Sequence, residues 1–178
     1  GNGERVILYF GFIRAYKGLD WMIRSMPLIW KEMDVRLLIC GEFYEGRDET
    51  LRLIEEADSR GLISLYDNFI PNEDVVTFFC AADLVVLPYV SATQSGIVQI
   101  AYHYNKPVVV TRVGGLPEVV IDGVSGTVAE PRNPESIADA VISFYERERE
   151  DTFTRGVRSE KRKYSWDRMS EALEEIMD

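Results

Sequence analysis

The chain has 178 residues, of which 46% are hydrophobic; this is enough to bury one core and short for two domains. Its 30 acidic residues outnumber its 20 basic ones, which gives a formal net charge of −10. Charge of that sign opposes sequence-independent binding to a nucleic-acid backbone, so no nucleic-acid partner is expected.

The cysteines and the apolar runs indicate where such a chain would reside. Cys40 and Cys80 lie in apolar stretches, and their spacing matches neither a metal knuckle nor a redox pair. We interpret both as buried thiols. No apolar run reaches membrane-spanning length, and the N-terminus lacks the basic and then apolar layout of a signal peptide. A soluble domain in the cytoplasm is therefore expected.

Strand-like and helix-like patterns alternate along the chain. Four short runs rich in β-branched residues end at Gly, Pro or Thr, which is typical of strands buried on both faces. Strands alternating with helices predict an α/β fold with a Rossmann-like, doubly wound parallel sheet. In chain order the predicted elements are a strand at 6–11, a helix over 19–29, a strand at 35–41, helices over 51–57 and 72–82, a strand at 84–88, a helix after 96, a strand at 107–111 and a short strand after the turn at Asp122.

The remainder of the chain is predicted to be helical. Helices are expected over about 134–178, with Ser165 as the N-cap of the last one. The whole chain, 1–178, is interpreted as a single domain.

Ligands of an open parallel sheet bind beyond the carboxyl ends of its strands. The loop after the first strand carries Arg14 and Lys17, and the loop SATQSG, at 91–96, is small, polar and followed by a helix. Backbone amides at that helix start would face an anion, and two cations opposite them could complete a clamp for a phosphate or diphosphate. The alternative is an ordinary pair of surface cations, which their position at the end of a strand disfavours.

Three common phosphate-handling classes do not fit. No G-x-x-x-x-G-K-[ST] loop is present, which excludes a P-loop nucleotidase. No G-x-G-x-x-G follows the first strand, which disfavours a dinucleotide-dependent oxidoreductase. A phosphorylation receiver needs an acidic cluster at its strand ends, whereas the predicted ends here are Gly11, Gly41, Pro88 and Thr111.

Five segments are typical of one family: GFIRAYKGLDWMIRSMPLI, VRLLICGE, AADLVVLPY, PVVVTRVGGLPEVVIDGVSGTVAEP and YSWDRMSEALEEI. In order and spacing they resemble the C-terminal, donor-binding half of retaining glycosyltransferases of family 4, which have the two-domain GT-B fold. The resemblance extends from residue 6 to residue 177. It implies that a nucleotide sugar binds in a cleft between two Rossmann-like domains, and that an N-terminal domain with most of the acceptor site is missing from this chain.

The resemblance also implies roles for the two cations. Lys17, six residues after Gly11, would bind the donor diphosphate, and Arg14 would stand in for an arginine that the family has where this chain has Phe12. Such enzymes work by front-face attack, so the protein mainly stabilises charge on the leaving diphosphate. Arg14 and Lys17 are the candidate catalytic residues. No metal or other cofactor is expected, because two cations and helix amides could carry that charge.

The loop SATQSG departs from the family pattern. The hallmark of the family is a pair of glutamates, of which the first contacts the sugar and the second contacts the ribose of the nucleotide. Counting back from Pro107 places these two positions at Ala92 and Ile100. No acidic residue lies between Asp83 and Glu118. Both contacts must therefore be absent or replaced.

Neutral groups of the same loop could replace those contacts. Gly11 and Glu118 complete the candidate donor site, although Glu118 could equally cap a backbone turn. Tyr89 could stack on a base, but core packing is the favoured interpretation. The neutral candidates are the side chains of Thr93, Gln94 and Ser95 and the amides of Gly96 and Ile97.

Two functions remain open at this point. The first is the donor half of a transferase that moves a sugar from a nucleotide sugar to a glycan, lipid or small-molecule acceptor with retention; the isolated domain would bind nucleotide without turnover. The second is a non-catalytic nucleotide-sugar-binding or interaction module derived from such an enzyme. Expected partners are the nucleotide sugar, the acceptor and the missing N-terminal domain, with peripheral membrane association of the parent protein left open.

Overall fold

The computed structural model describes residues 4–146 and 149–163, whose strands form one parallel sheet. All four strands predicted from apolar runs are present, each within one residue of its expected bounds, as is the short strand after Asp122. In chain order the strands are β1 (Val6–Phe10), β2 (Arg36–Cys40), β3 (Ile63–Tyr66), β4 (Leu84–Leu87), β5 (Val108–Thr111) and β6 (Gly126–Ala129).

The strand order across the sheet is β3-β2-β1-β4-β5-β6. The chain therefore winds from β1 to one edge, returns to the middle, and winds to the other edge from β4. This is the doubly wound, Rossmann-like arrangement that the sequence predicts. The carboxyl ends of β1 and β4 are neighbours at the point where the winding reverses, which is the usual ligand position in such sheets.

Helices connect the strands and cover both faces of the sheet. None of the helices described is long and apolar enough to cross a membrane. The last predicted helix, with Ser165 as its N-cap, lies outside the described residues. The described helices are α1 (Leu19–Glu32), α2 (Arg47–Ala57), α3 (Asn72–Ala81), α4 (Gly96–His103), α5 (Leu116–Val119), α6 (Pro134–Glu146) and α7 (Arg149–Lys163).

Two differences from the predicted elements have local causes. β3 was not predicted, because it is an edge strand whose residues are partly buried or exposed and form no continuous apolar run. α2 begins four residues before the predicted start at Leu51. Its first turn holds Asp48 and Glu49, which favour a helix N-terminus without adding to an apolar pattern.

The sheet is buried on both faces, which explains its near-continuous apolar strands. Alternate residues of β1 point to opposite faces: Ile7 packs in the core beneath α1 and α6, and Leu8 packs in the core beneath α3 and α4. All residues of β4 and β5 are buried. Burying one such aliphatic side chain contributes about 2 kcal/mol to stability.

The prediction that both cysteines are buried is wrong for Cys80. Cys40 lies at the end of β2 and is buried, and this burial raises the pKa of its thiol to about 12. Cys80 is exposed, although its neighbour Phe79 is fully buried. Successive residues of a helix point about 100° apart, so apolar neighbours in sequence do not bring Cys80 to the buried face of α3.

Backbone hydrogen bonds connect the loops at the carboxyl ends of the strands. The Val90 amide donates to the Tyr16 carbonyl at 2.8 Å, which joins the loop after β4 to the loop after β1. The Gly115 amide donates to the Thr93 carbonyl at 2.8 Å, which joins the loops after β4 and β5. The three loops are thereby fixed relative to one another.

A glycine is required at position 18, where the loop after β1 crosses the loop after β4. The φ of Gly18 is +67°, in the left-handed region, and a Cβ atom there would lie 2.0 Å from the Pro88 carbonyl oxygen. No side chain can occupy that space unless the backbone moves.

Gly18→Ala and Gly46→Ala form a matched test of this crossing. Both glycines have a positive φ and lie directly before a helix. A Cβ at Gly46, however, would meet no atom within 4 Å. The left-handed conformation costs each variant about 1 kcal/mol. We expect Gly18→Ala to lower the free energy of unfolding by about 2 kcal/mol more than Gly46→Ala, a difference of the size that overpacking causes, when measured by urea denaturation. Equal losses would contradict a steric role for Pro88.

Two buried tyrosines should respond oppositely to loss of the hydroxyl. The Tyr9 hydroxyl is fully buried and has no hydrogen-bond partner among the described residues. The Tyr102 Oη lies within hydrogen-bonding distance of Ser125 Oγ, at 2.7 Å, and of the Val119 carbonyl oxygen, at 3.1 Å. We expect Tyr9→Phe to raise the free energy of unfolding by about 1 kcal/mol and Tyr102→Phe to lower it by about 1–2 kcal/mol. Destabilisation by both variants in urea titrations would show that Tyr9 has a partner.

Candidate functional site

A cavity of about 580 Å³ opens between the loop after β1 and the loop after β4; we term it the lysine pocket. It brings together six residues that the sequence predicts for one site: Lys17 and residues 93–97. Its complete lining is Tyr16, Lys17, Tyr89, Ser91, Ala92, Thr93, Gln94, Ser95, Gly96, Ile97 and Ile100.

Lys17 is the charged residue of this lining. Its side chain is half-buried, and it forms no ion pair with the described part of the chain. Burial lowers the pKa of its ammonium group, and the positive charge of Arg14 lowers it further. A cation removed from water without a counter-ion is stabilised by an anionic ligand.

The start of α4 forms another wall of the lysine pocket. Ser95 is the N-cap residue, and its Oγ accepts a hydrogen bond from the Ile97 amide at 3.2 Å. A Cβ at Gly96 would meet no atom within 4 Å, so the first turn of the helix is open on this side. The amides and the dipole at a helix N-terminus favour negative charge. Lys17 and α4 therefore give one cavity two anion-attracting features.

Ala92 and Ile100 both line the lysine pocket. These are the positions at which the family resemblance places its two glutamates. The structure therefore puts the replaced residues at the site itself, where an alanine and an isoleucine provide no hydrogen-bonding side chain. Hydrogen bonding from side chains of this loop is left to the neutral groups of Ser91, Thr93, Gln94 and Ser95.

Arg14 lies in a different cavity from Lys17. Its Cζ is 4.1 Å from the centroid of the Tyr44 ring. It lines a neighbouring cavity of about 300 Å³ together with Asp20 and Glu49. The two predicted cations are thus not side by side, although the charge of Arg14 still lowers the pKa of Lys17.

Gly11 and Glu118 differ in their distance from the lysine pocket. Lys17 Nζ lies 3.2 Å from the place where a Cβ at Gly11 would stand, so a side chain there would press on the ammonium group. Glu118 is exposed in the first turn of α5. Its Oε2 lies 3.7 Å from the place of a Cβ at Gly115, and Glu118 is not part of the pocket lining.

A smaller cavity of about 200 Å³, termed the apolar pocket, adjoins the lysine pocket and shares Lys17 and Ile97 with it. A Cβ at Gly41 would lie 2.1 Å from the Gly11 carbonyl oxygen, so the pocket floor needs glycine. Three phenylalanines are among the lining residues, and such aromatic walls suit a flat ring. The other lining residues are Phe10, Gly11, Phe12, Cys40, Gly41, Glu42, Phe69 and Ile70.

Sequence reasoning missed Tyr16 and favoured core packing for Tyr89, yet both tyrosines belong to the lysine pocket. Tyr16 and Tyr89 both line it, and the edge of one ring faces the other with centroids 6.3 Å apart. Tyr89 is only 3% exposed, which confirms that it is buried but does not make it remote from the site. Its position directly after Pro88, at the carboxyl end of a strand, is the signal that could have identified it.

Solved structures share this fold. The C-terminal domain of a glycosyl transferase group 1 family protein from Francisella tularensis superimposes with a TM-score of 0.79 and 21% identity, covering 90% of this chain and 85% of that domain. The Anabaena protein HepE in complex with UDP-glucose superimposes with a TM-score of 0.81 and 18% identity, covering 98% of this chain and 49% of that protein. The sheet is thus one half of a GT-B fold.

Sequence comparison gives the family. An uncharacterized glycosyltransferase from Methanocaldococcus jannaschii is 31% identical over 172 residues, which cover 95% of this chain and 43% of that relative. The chain therefore spans less than half the length of this relative. Residues 4–147 match the model of one family, described as glycosyl transferases group 1. Because this match covers most of the chain, the protein belongs to the glycosyl transferases group 1 family.

Proposed function

We propose that this chain is the C-terminal, donor-binding domain of a retaining GT-B glycosyltransferase of family 4, and that the lysine pocket binds the diphosphate of its nucleotide sugar. The observation that carries the proposal is the half-buried, unpaired ammonium group of Lys17, which shares one cavity with the open N-terminus of α4. An anion of two phosphate groups suits both features.

The comparisons support the proposal in two ways. HepE was solved with UDP-glucose bound, which makes a nucleotide sugar a reasonable ligand for a chain of the same fold. The relative from Methanocaldococcus jannaschii is more than twice as long as the aligned region, which leaves room for an N-terminal domain with the acceptor site. On this proposal the isolated chain binds nucleotide, and only the longer protein transfers sugar to a glycan, lipid or small-molecule acceptor.

In the proposed reaction, the bond between the sugar and the diphosphate breaks while the acceptor oxygen attacks the same face of the sugar. Negative charge develops on the leaving diphosphate, where the Lys17 ammonium and the α4 amides stabilise it. The departing phosphate takes the proton of the acceptor hydroxyl. The protein therefore needs no carboxylate nucleophile, which is consistent with Ala92 and Ile100 in the pocket wall.

The remaining candidates take supporting roles in this proposal. Thr93 and Gln94 hydrogen-bond sugar hydroxyls, and the apolar pocket receives the base. Arg14 acts through its electric field, because its guanidinium stacks on Tyr44 outside the lysine pocket. The proposal includes no metal, since Lys17 and helix amides supply the positive charge that the diphosphate needs. Glu118 is kept only as a rim residue.

A second candidate function is a non-catalytic module that binds nucleotide sugars. It is favoured by the replacement of both family glutamates with Ala92 and Ile100. Both candidates predict nucleotide binding by this chain, and sugar transfer by the longer protein separates them. For either one we propose a cytoplasmic location, which suits two free cysteines.

Nucleotide binding can be tested by titrating the 178-residue chain with UDP, GDP and ADP in a calorimeter. We expect saturable binding of one diphosphate and a loss of affinity of about tenfold or more in Lys17→Met, because a charge-assisted contact contributes about 1.5–3 kcal/mol. Arg14→Met should weaken binding about threefold, as expected for a charge acting at longer range. Lys106→Met removes a partly buried lysine that does not line the pocket and should leave affinity unchanged. Equal affinity of Lys17→Met and wild type would refute the proposed role of Lys17.

The pH dependence of the same titration tests the charge state of Lys17. An anion binds the protonated ammonium, so affinity is full below the pKa of Lys17 and falls as the pH rises through it. Burial lowers that pKa below 10.5, so the loss should begin at a lower pH than for an ordinary lysine. Lys17→Arg keeps its charge at every accessible pH and should bind the diphosphate equally at pH 8 and pH 10. A parallel loss in both proteins would assign the titration to another group.

A further inference from the structure

We infer that Tyr89 is a positioning residue of the lysine pocket, which holds the Lys17 ammonium with its ring and directs the Ser95 hydroxyl toward the ligand with its own hydroxyl. The inference rests on the proposed function, because it assigns a ligand contact within the same site. Tyr89 thereby connects the cationic and the helical walls of the pocket.

The ring of Tyr89 is a favourable partner of the Lys17 ammonium group. Lys17 Nζ lies 5.7 Å from the ring centroid, within the range of a cation–π interaction. No carboxylate of the described chain pairs with this ammonium. A lysine side chain is flexible and loses rotamer freedom when it is fixed. The aromatic face can reduce that freedom before a ligand arrives, without neutralising the charge that the ligand needs.

The hydroxyl of Tyr89 acts on the other wall. Its Oη lies 3.2 Å from Ser95 Oγ, which also accepts a hydrogen bond from the Ile97 amide. A serine hydroxyl has two acceptor positions and one donor hydrogen. When Tyr89 donates, both acceptor positions are filled, and the Ser95 hydrogen remains to be donated. Ser95 lines the pocket, so this hydrogen is available to a phosphate oxygen.

Tyr89 is itself rigidly placed and protonated. It is 3% exposed, and its carbonyl accepts a hydrogen bond from the Thr111 hydroxyl. Burial raises the pKa of its hydroxyl above the usual value for tyrosine, so the group can donate throughout the neutral range. Core packing alone would explain the burial of the ring. It would not predict that ligand binding through Lys17 depends on the ring, or that ligand binding through Ser95 depends on the hydroxyl.

The test uses the 178-residue chain and the diphosphate among UDP, GDP and ADP that binds the wild type most tightly. Tyr89→Phe keeps the ring and removes the hydroxyl, and should weaken binding about fivefold, as expected for one hydrogen bond. Tyr89→Leu removes both features and should weaken binding about twentyfold, since the cation–π contact is lost as well. Circular dichroism and urea titration establish that each variant is folded.

Double-mutant cycles separate positioning from packing. In a Ser95→Ala background, Tyr89→Phe should have less than a twofold further effect, because the hydroxyl has lost the group through which it acts. In a Lys17→Met background, Tyr89→Leu should weaken binding no more than Tyr89→Phe does. Independent, multiplicative losses in both cycles would overturn the inference.

Tyr102→Phe is the matched control, because it also removes a hydrogen-bonded tyrosine hydroxyl but does not line the pocket. It should leave the affinity for the diphosphate unchanged while lowering stability. Unchanged affinity in Tyr89→Phe, with wild-type binding intact, would overturn the inference and leave the proposed function standing. Absence of diphosphate binding in the wild type would overturn the proposed function and this inference together.

Discussion

The structure depends on one close approach of backbone between the loops that follow the two central strands, β1 and β4. Gly18 lies so near the Pro88 carbonyl that a Cβ atom would not fit, and the Val90 amide donates to the Tyr16 carbonyl beside it. These contacts bring together loops that are separated by more than sixty residues in the sequence and follow two neighbouring strands. Lys17 and the start of α4 meet because of this crossing, so the candidate site is a direct result of the strand order.

The site combines positive charge with neutral polarity in an acidic protein. The chain carries a net charge of −10, yet the lysine pocket is lined by one cation and by hydroxyl, amide and apolar groups. Such a pocket attracts an anion by charge and can hold sugar hydroxyls through groups that both donate and accept hydrogen bonds. Replacing glutamates with Ala92 and Ile100 also removes repulsion between carboxylates and a diphosphate. Anion attraction and the absence of acidic side chains therefore act in the same direction.

The fold could be predicted well from the sequence, because buried parallel strands appear as uninterrupted apolar runs and β4 is buried at every position. The polar loop at 91–96 was predictable as well, since small residues before a helix mark a strand end. Side-chain direction was not predictable. Arg14 stacks on Tyr44, which comes from a different loop, and Cys80 points to solvent because α3 turns another face to the core. The exposed edge strand β3 lacked the hydrophobic pattern on which recognition of a strand depends.

Lys17 and Ile97 form a wall common to the lysine pocket and the apolar pocket. A ligand that fills both cavities presses on the same two side chains from both sides, so its two parts do not bind independently. The ring in the apolar pocket limits the positions that the ammonium can take, and the charged group in the lysine pocket limits the depth that the ring can reach. Binding energies of the separate halves should therefore not add up to that of the whole ligand. If the proposed nucleotide binds there, discrimination between bases would appear partly as a difference in the affinity of the lysine pocket for the phosphates.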